Sequence, residues 1–357
     1  MPSITDSEAK STAPAGGQAP KREAPRKAAV APWRVLRRAL IAREGSIVVV
    51  TIILIAYFSL RLSAFPTVAN FQVLLPYFAP TGILAAGEVF LMINGEIDLS
   101  IAGTYLLAPF LYYELAHGGV PLVPSIIISL LACAAVGLAN GFIVSVIGIN
   151  SFITTLGMLF ALEGITLIIS HSEELQTPGT TATGSPSTFA SIMGAGTYAE
   201  LIWAVVIVFV LQVILTRTRW GMHTIAVGSN KTGAAEAGVR VRAILTRNFV
   251  VCAVAAGLVG ILEGVRTTSI TPDPSAATSI LLYAIAAAVI GGTLLVGGAG
   301  TVVGALIGAL FLGVIQDGLV IEGVSANDEF LYAGVAILIA MILNTYVGRV
   351  RTRSGLG

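Results

Sequence analysis

The chain has 357 residues, 55% hydrophobic and only 11% charged, with a mean hydropathy of +0.89 and a net charge of +1. A soluble globular domain carries roughly 25% charged residues, so the composition argues against a soluble enzyme of one or two domains. The net charge by itself says nothing about nucleic acid, and none is expected as a partner.

Residues 1–32 are rich in Ala, Pro, Ser and Lys, and residues 1–45 as a whole read as a disordered basic tail on the cytoplasmic side. Within it, Trp33 to Arg43 alternates basic and apolar residues at helical spacing. That stretch is either an interfacial helix held against anionic lipid or a plain positive-inside flank. The first apolar run starts only at Ser46, after a polar lead too long for a signal peptide. Ten apolar segments follow: 46–64, 71–93, 98–116, 122–147, 151–170, 199–216, 244–267, 279–296, 301–321 and 330–348. All are predicted to be helical, because lipid offers no partner to an open backbone. The expected fold is therefore all-α: a polytopic membrane protein with about ten transmembrane helices over 46–348. Residues 349–357 form a short C-terminal tail.

Charge distribution supports an even number of spans. Nine of the 20 Lys/Arg lie in residues 1–45, six between Arg217 and Arg247, and three between Arg349 and Arg353. With ten spans and the N-terminus in the cytoplasm, 18 of the 20 fall on one side, as the positive-inside rule expects. The opposite loops carry Glu173, Glu174, Asp273, Glu322, Asp328 and Glu329 instead. Segments two to five and seven to ten each hold four spans around a Gly-rich break, so the chain is a candidate for two inverted repeats. Small-xxx-small pairs (Gly137/Gly141, Gly260/Gly264, Gly300/Gly304, Gly304/Gly308) allow close helix packing.

Chemistry in such a chain resides in its rare polar residues. Glu88, Glu96, Asp98, Glu163, Glu263 and Asp317 lie in or beside the spans. A carboxylate at mid-bilayer costs about 2.5–3.5 kcal/mol on insertion scales, so these six face water, the bundle interior or the interfaces. Almost no basic residue is expected to pair with them. Asn94 to Ser100 (NGEIDLS) interrupts two apolar runs. It reads as a helix broken inside the bundle, as a turn in which Asp98 and Ser100 cap the next helix, or as both. A second break runs from Gly291 to Gly300, without the spacing of a nucleotide-binding loop. The candidate pathway residues are Asn94, Glu96, Asp98, Ser100, Asn140, Gln316 and Asp317. Carboxylates, amides and aromatics with almost no Lys or Arg favour a neutral polyhydroxylated solute over an anion. No P-loop, metal-ligand spacing or nucleophile motif occurs, so no catalytic residue, cofactor or metal is assigned.

Three stretches carry a resemblance: Gly95 to Ser100 (GEIDLS), Asn150 to Met158 (NSFITTLGM) preceded by Gly137 to Gly141, and Ile290 to Gly313. In this order the chain resembles the permease subunits of ATP-binding-cassette importers for simple sugars, of the ribose/xylose/galactose type. It departs from the family pattern at Ile101-Ala102, Ala299 and Gln316-Asp317-Gly318. The inner loop 217–243 is also similar: Ala226, Gly228, Asn230, Ala234, Ala235 and Gly238 match the family's loop that forms a short coupling helix against the ATPase. The resemblance implies a homo- or heterodimer of permeases, two cytoplasmic ATP-binding subunits and an extracytoplasmic solute-binding protein, in a prokaryotic plasma membrane. Hydrolysis elsewhere would then drive alternating access for a sugar here. The alternative is a proton-coupled secondary transporter working through the unpaired acids.

Overall fold

The computed structural model describes residues 45–180, 186–325, 328, 331–339 and 341–342. The expected N-terminal tail, up to residue 44, and the tail at 349–357 lie outside these. Helices α1 (Gly45–Arg61), α2 (Val68–Ile93), α3 (Ile101–His117) and α4 (Leu122–Phe142) come first, and one π-turn over Ile143–Ile147 extends α4. There follow α5 (Ser151–Ile169), α6 (Ala199–Arg217), α7 (Arg219–Ser229), α8 (Lys231–Glu236), α9 (Val241–Thr267), α10 (Pro274–Ile290) and α11 (Val302–Glu322). Residues 331–339 and 341–342 are helical where the tenth span is expected. Two short strands, β1 (Leu175–Gln176) and β2 (Ser269–Ile270), pair antiparallel with Leu175 opposite Ile270.

This is an all-α, multi-pass membrane protein. Among the described residues six helices are long and apolar enough to cross a bilayer: α2, α4 with its π-turn, α5, α6, α9 and α11. The other three expected spans, α1, α3 and α10, have 17 residues each. At 1.5 Å per residue that is about 26 Å, short of a hydrocarbon core of about 30 Å. The reason is visible for two of them. Segment three was expected to start at 98, but its helix starts at Ile101 because NGEIDLS stays non-helical. Segment eight was expected over 279–296, but its helix ends at Ile290, where the second break begins. Irregular backbone at this depth is tolerated only when protein covers it, and Asn94, Asp98 and Ser100 are buried.

The centre of the bundle is α2, buried from Leu74 almost without interruption, with α9 and α11 beside it. Around them α4, α5 and α6 turn large apolar side chains outward, among them Leu131, Phe160, Ile168 and Phe209. Helices that are apolar all round suit a lipid solvent, since no polar face is needed. The most extensive pairings are α2 with α11 and α9 with α4, and α3 lies against α9 as α10 lies against α2. These contacts map onto one another when α2, α3 and α4 are exchanged for α9, α10 and α11. Since α2 runs towards the first break and α9 runs away from it, the exchanged halves are opposed in direction.

The glycine pairs act inside this packing. A Cβ at Gly141 would lie 2.6 Å from Thr246 Cα, and one at Gly137 2.7 Å from Val250 Cα, so α4 meets α9 backbone to backbone. Gly260 packs on the Tyr105 carbonyl of α3, and Gly308 on the Ala287 carbonyl of α10.

Candidate functional site

Both breaks and the inner loop meet at one end of the bundle. The Gly298 N–H donates to the Ile93 carbonyl at 2.7 Å, joining the second break to the end of α2. Gly95, Gly297 and Gly298 all have positive φ, which lets the two backbones turn against each other without a Cβ in the way. Gly228 of α7 completes the contact. A Cβ there would run into the Ile93 carbonyl oxygen and lie 3.1 Å from the Gly298 nitrogen.

Side chains fasten the same junction. Asn94, the C-cap of α2, donates through Nδ2 to the Thr224 carbonyl of α7 at 2.7 Å. Asn248 of α9 is fully buried at the centre. Its amide nitrogen donates to Asn94 Oδ1 at 2.6 Å and the Phe90 carbonyl at 3.2 Å, and its Oδ1 accepts from Trp220 Nε1 at 2.8 Å. Lys231, the first residue of α8, reaches Glu96 Oε1 at 2.5 Å. The inner loop is thus not a plain connector. Val227, Ala234 and Ile244 form a small apolar core of its own, leaving Met222, Ile225, Ala226 and Ala235 on its exposed face. Asn230 caps α8 through the Gly233 N–H, and Gly238 takes a positive φ just after it.

About a turn and a half into α2 lies an acid cluster. Glu88 Oε1 accepts from the Asp98 N–H at 3.2 Å, and Asp98 Oδ1 accepts from both the Ser100 N–H and its hydroxyl, at 2.9 and 2.6 Å. Asn140 of α4 donates to Ser100 Oγ at 2.7 Å. All four residues are fully buried, and Glu88 Oε2, Asp98 Oδ2 and Asn140 Oδ1 have no partner among the described residues. The break's own N–H groups are satisfied from α5: Thr155 Oγ1 accepts from Leu99 at 3.0 Å and Ser151 Oγ from Ile97 at 3.5 Å. The NSFITTLGM stretch therefore holds the GEIDLS stretch in place.

Two expectations need correcting. Ser100 stands at the N-cap of α3, but its side chain makes no capping bond, because Asp98 and Asn140 have taken it. The acids are also less isolated than expected. Glu96 has Lys231, and at the far end of the bundle Arg266 pairs with Glu263 one turn away and with Glu200 of α6 at 3.2 Å. Among the described residues the expectation of no basic partner holds for Glu88, Asp98, Glu163 and Asp317.

Of the seven candidate pathway residues, the structure brings together Asn94, Glu96, Asp98, Ser100 and Asn140. Gln316 and Asp317 lie near the far end of α11, where Asp317 accepts from Asn70 at 2.7 Å. That end also holds a polar cavity of about 330 Å³, whose lining includes Tyr105, Glu263, Thr267, Ser269, Thr271 and Asp273. Sequence reasoning passed over Asn248, Trp220, Thr224 and Lys231. For Asn248 a signal existed: an amide inside an apolar span is costly unless it is used.

Residues 70–343 match the family described as branched-chain amino acid transport system, permease component. The chain is 35% identical over 318 residues to a xylose/arabinose import permease of Sulfolobus acidocaldarius, covering 86% of each chain. It is 30% identical over 312 residues to the ribose import permease of Escherichia coli strain K12, covering 87% of this chain and 96% of the relative. An L-arabinose ABC transporter permease of Azospirillum brasilense is 31% identical over 334 residues, covering 92% and 95%. No solved structure matches the chain.

Proposed function

The chain belongs to this family of permease components and is not itself an enzyme; on that premise we propose that it forms the translocation pathway for a simple sugar in an ATP-driven importer. A separate pair of ATP-binding subunits would dock on α7 and α8, and a solute-binding protein would deliver sugar at the far end. A second permease subunit would complete the pathway. The termini and inner loop would then lie in the cytoplasm.

One observation carries this reading: α7 is bonded and packed directly onto both breaks in the bundle. A push on its exposed face, Met222, Ile225 and Ala226, would be delivered to Ile93, Asn94 and Gly298 with no flexible link between. The break residues Asn94, Glu96, Asp98, Ser100 and Asn140 would form the inner constriction, and Gln316 and Asp317 the outer part of the path. The polar cavity by Tyr105 and Thr271 suits solute received from the far side.

A sugar fits better than the amino acid in the family's description. The relatives above are named for sugars, and the break residues offer a substrate carboxylate no unengaged cation. Among the break residues the one nearby cation, Lys231, is already engaged by Glu96.

Reconstitution tests the reading. The chain is placed in liposomes with candidate ATPase and solute-binding subunits, and sugar uptake is followed with and without ATP. Uptake that needs ATP and both partners supports the proposal. Uptake by the chain alone that collapses with an uncoupler would replace it with proton coupling through Glu88 and Asp98.

A further inference from the structure

Beyond the transport path, an open groove of about 830 Å³ runs along the outside of the bundle at the break end. One wall is Leu138, Phe142 and Val146, from α4 and its π-turn. The other is two adjacent i, i+4 ridges of α9: Arg242–Thr246–Val250 and Ala243–Arg247–Val251. Trp220 is also part of the lining, level with Asn248 of α9.

The groove changes chemistry along its length. From Arg242 to Val251 it rises about 13 Å at 1.5 Å per residue. One exposed guanidinium, Arg242, stands at its start and a second, Arg247, about 8 Å further along, and it ends among aliphatic side chains. Neither arginine has an ion-pair partner among the described residues, unlike Arg61, Lys231 and Arg266. Two unpaired guanidinium groups along the first part and an apolar continuation match an anionic phospholipid in both charge and polarity.

We propose that this groove is a binding site for one anionic phospholipid of the leaflet at the break end. Arg242 and Arg247 take its phosphate, and an acyl chain lies between Phe142 and Val250. The occupant would rest on Trp220, whose indole nitrogen is bonded to Asn248 at the junction of α2 and α7. The site does not depend on which solute the protein moves.

The test uses the full chain, purified in detergent and titrated with phosphatidylglycerol or phosphatidylcholine. Retention is read by native mass spectrometry and the thermal unfolding midpoint is followed in parallel. Wild type is expected to retain phosphatidylglycerol selectively and to gain stability from it. Arg242→Gln with Arg247→Gln should weaken that retention about 30-fold and leave the lipid-free midpoint unchanged, since both side chains are exposed. Val250→Phe, which fills the apolar part and keeps both charges, should also lower retention. Equal retention of the two lipids by wild type, or undiminished retention in the double arginine variant, would overturn the assignment. So would a disulfide between two copies formed by Leu138→Cys in native membranes, which would make the groove a protein interface. Sugar uptake is not part of the readout, so failure here leaves the transport reading standing.

Discussion

Gly228→Ala adds one methyl group where α7, the end of α2 and the second break touch. The new Cβ would run into the Ile93 carbonyl oxygen, so α7 must retreat by about 1–2 Å to reach an ordinary contact. Retreat also strains the hydrogen bond that the Thr224 carbonyl of α7 accepts from Asn94 Nδ2, now 2.7 Å. Overpacking of this kind costs about 1–3 kcal/mol, and a weakened hydrogen bond about 0.5–1.5 kcal/mol. Against this, alanine favours a helix interior over glycine by about 0.8–1 kcal/mol. The balance is a loss of about 1–3 kcal/mol, a drop of a few degrees in the unfolding midpoint for a chain of this size. The control is Gly157→Ala in α5, where a Cβ meets nothing within 4 Å; that variant should be neutral or slightly more stable. In proteoliposomes with the ATPase and binding protein, Gly228→Ala should raise the ATP hydrolysed per sugar moved, and Gly157→Ala should not. If the two alanine variants match each other in both stability and coupling, the close approach of α7 to the breaks is refuted.

Asn248→Ala leaves Asn94 Oδ1 and Trp220 Nε1 without their partner. A loss of about 1–4 kcal/mol in detergent unfolding is expected, and a double-mutant cycle with Asn94→Ala should give a coupling above about 0.5 kcal/mol. Additivity of the two substitutions would dissolve the proposed joint. Arg266→Leu leaves the buried Glu200 beside Glu263 with no cation; discounted for its partial exposure, it should cost about 1–3 kcal/mol. Adding Glu200→Leu should restore much of the stability, and no recovery would mean the ion pair is not what Arg266 contributes. Asp98→Asn keeps the oxygen that accepts from Ser100 but removes the charge. Uptake should fall at least about tenfold while the unfolding midpoint moves little, and wild-type uptake would leave Asp98 a merely structural residue of the break.

The spans were legible because lipid imposes one rule on every segment, and runs of about 20 apolar residues satisfy it. The breaks were legible for the converse reason: Glu96 and Asp98 are too costly to ignore. The helix ends at Ile101 and Ile290 were legible only in part: Ser100 and Gly291-Gly292 marked them, yet the apolar run carried the expected spans through to 98 and 296. The meeting of the two breaks, about 200 residues apart in the chain, was not legible. It depends on α2, α9 and α11 packing closely enough to bring Ile93, Gly228 and Gly298 together. Lys231 looked like an ordinary solvated loop charge, and only the fold of α8 carries its amine to Glu96.

The exchange relation between the two halves breaks down visibly after α10. The long interruption between α10 and α11 has as its counterpart the four-residue turn 118–121 between α3 and α4, at the opposite end of the bundle. A device made of a duplicated, inverted piece would work equally well in either direction if its halves were identical. Here the halves differ in the elongated glycine stretch lodged under α7, so the loop that would meet the ATP-binding subunits grips one repeat differently from the other.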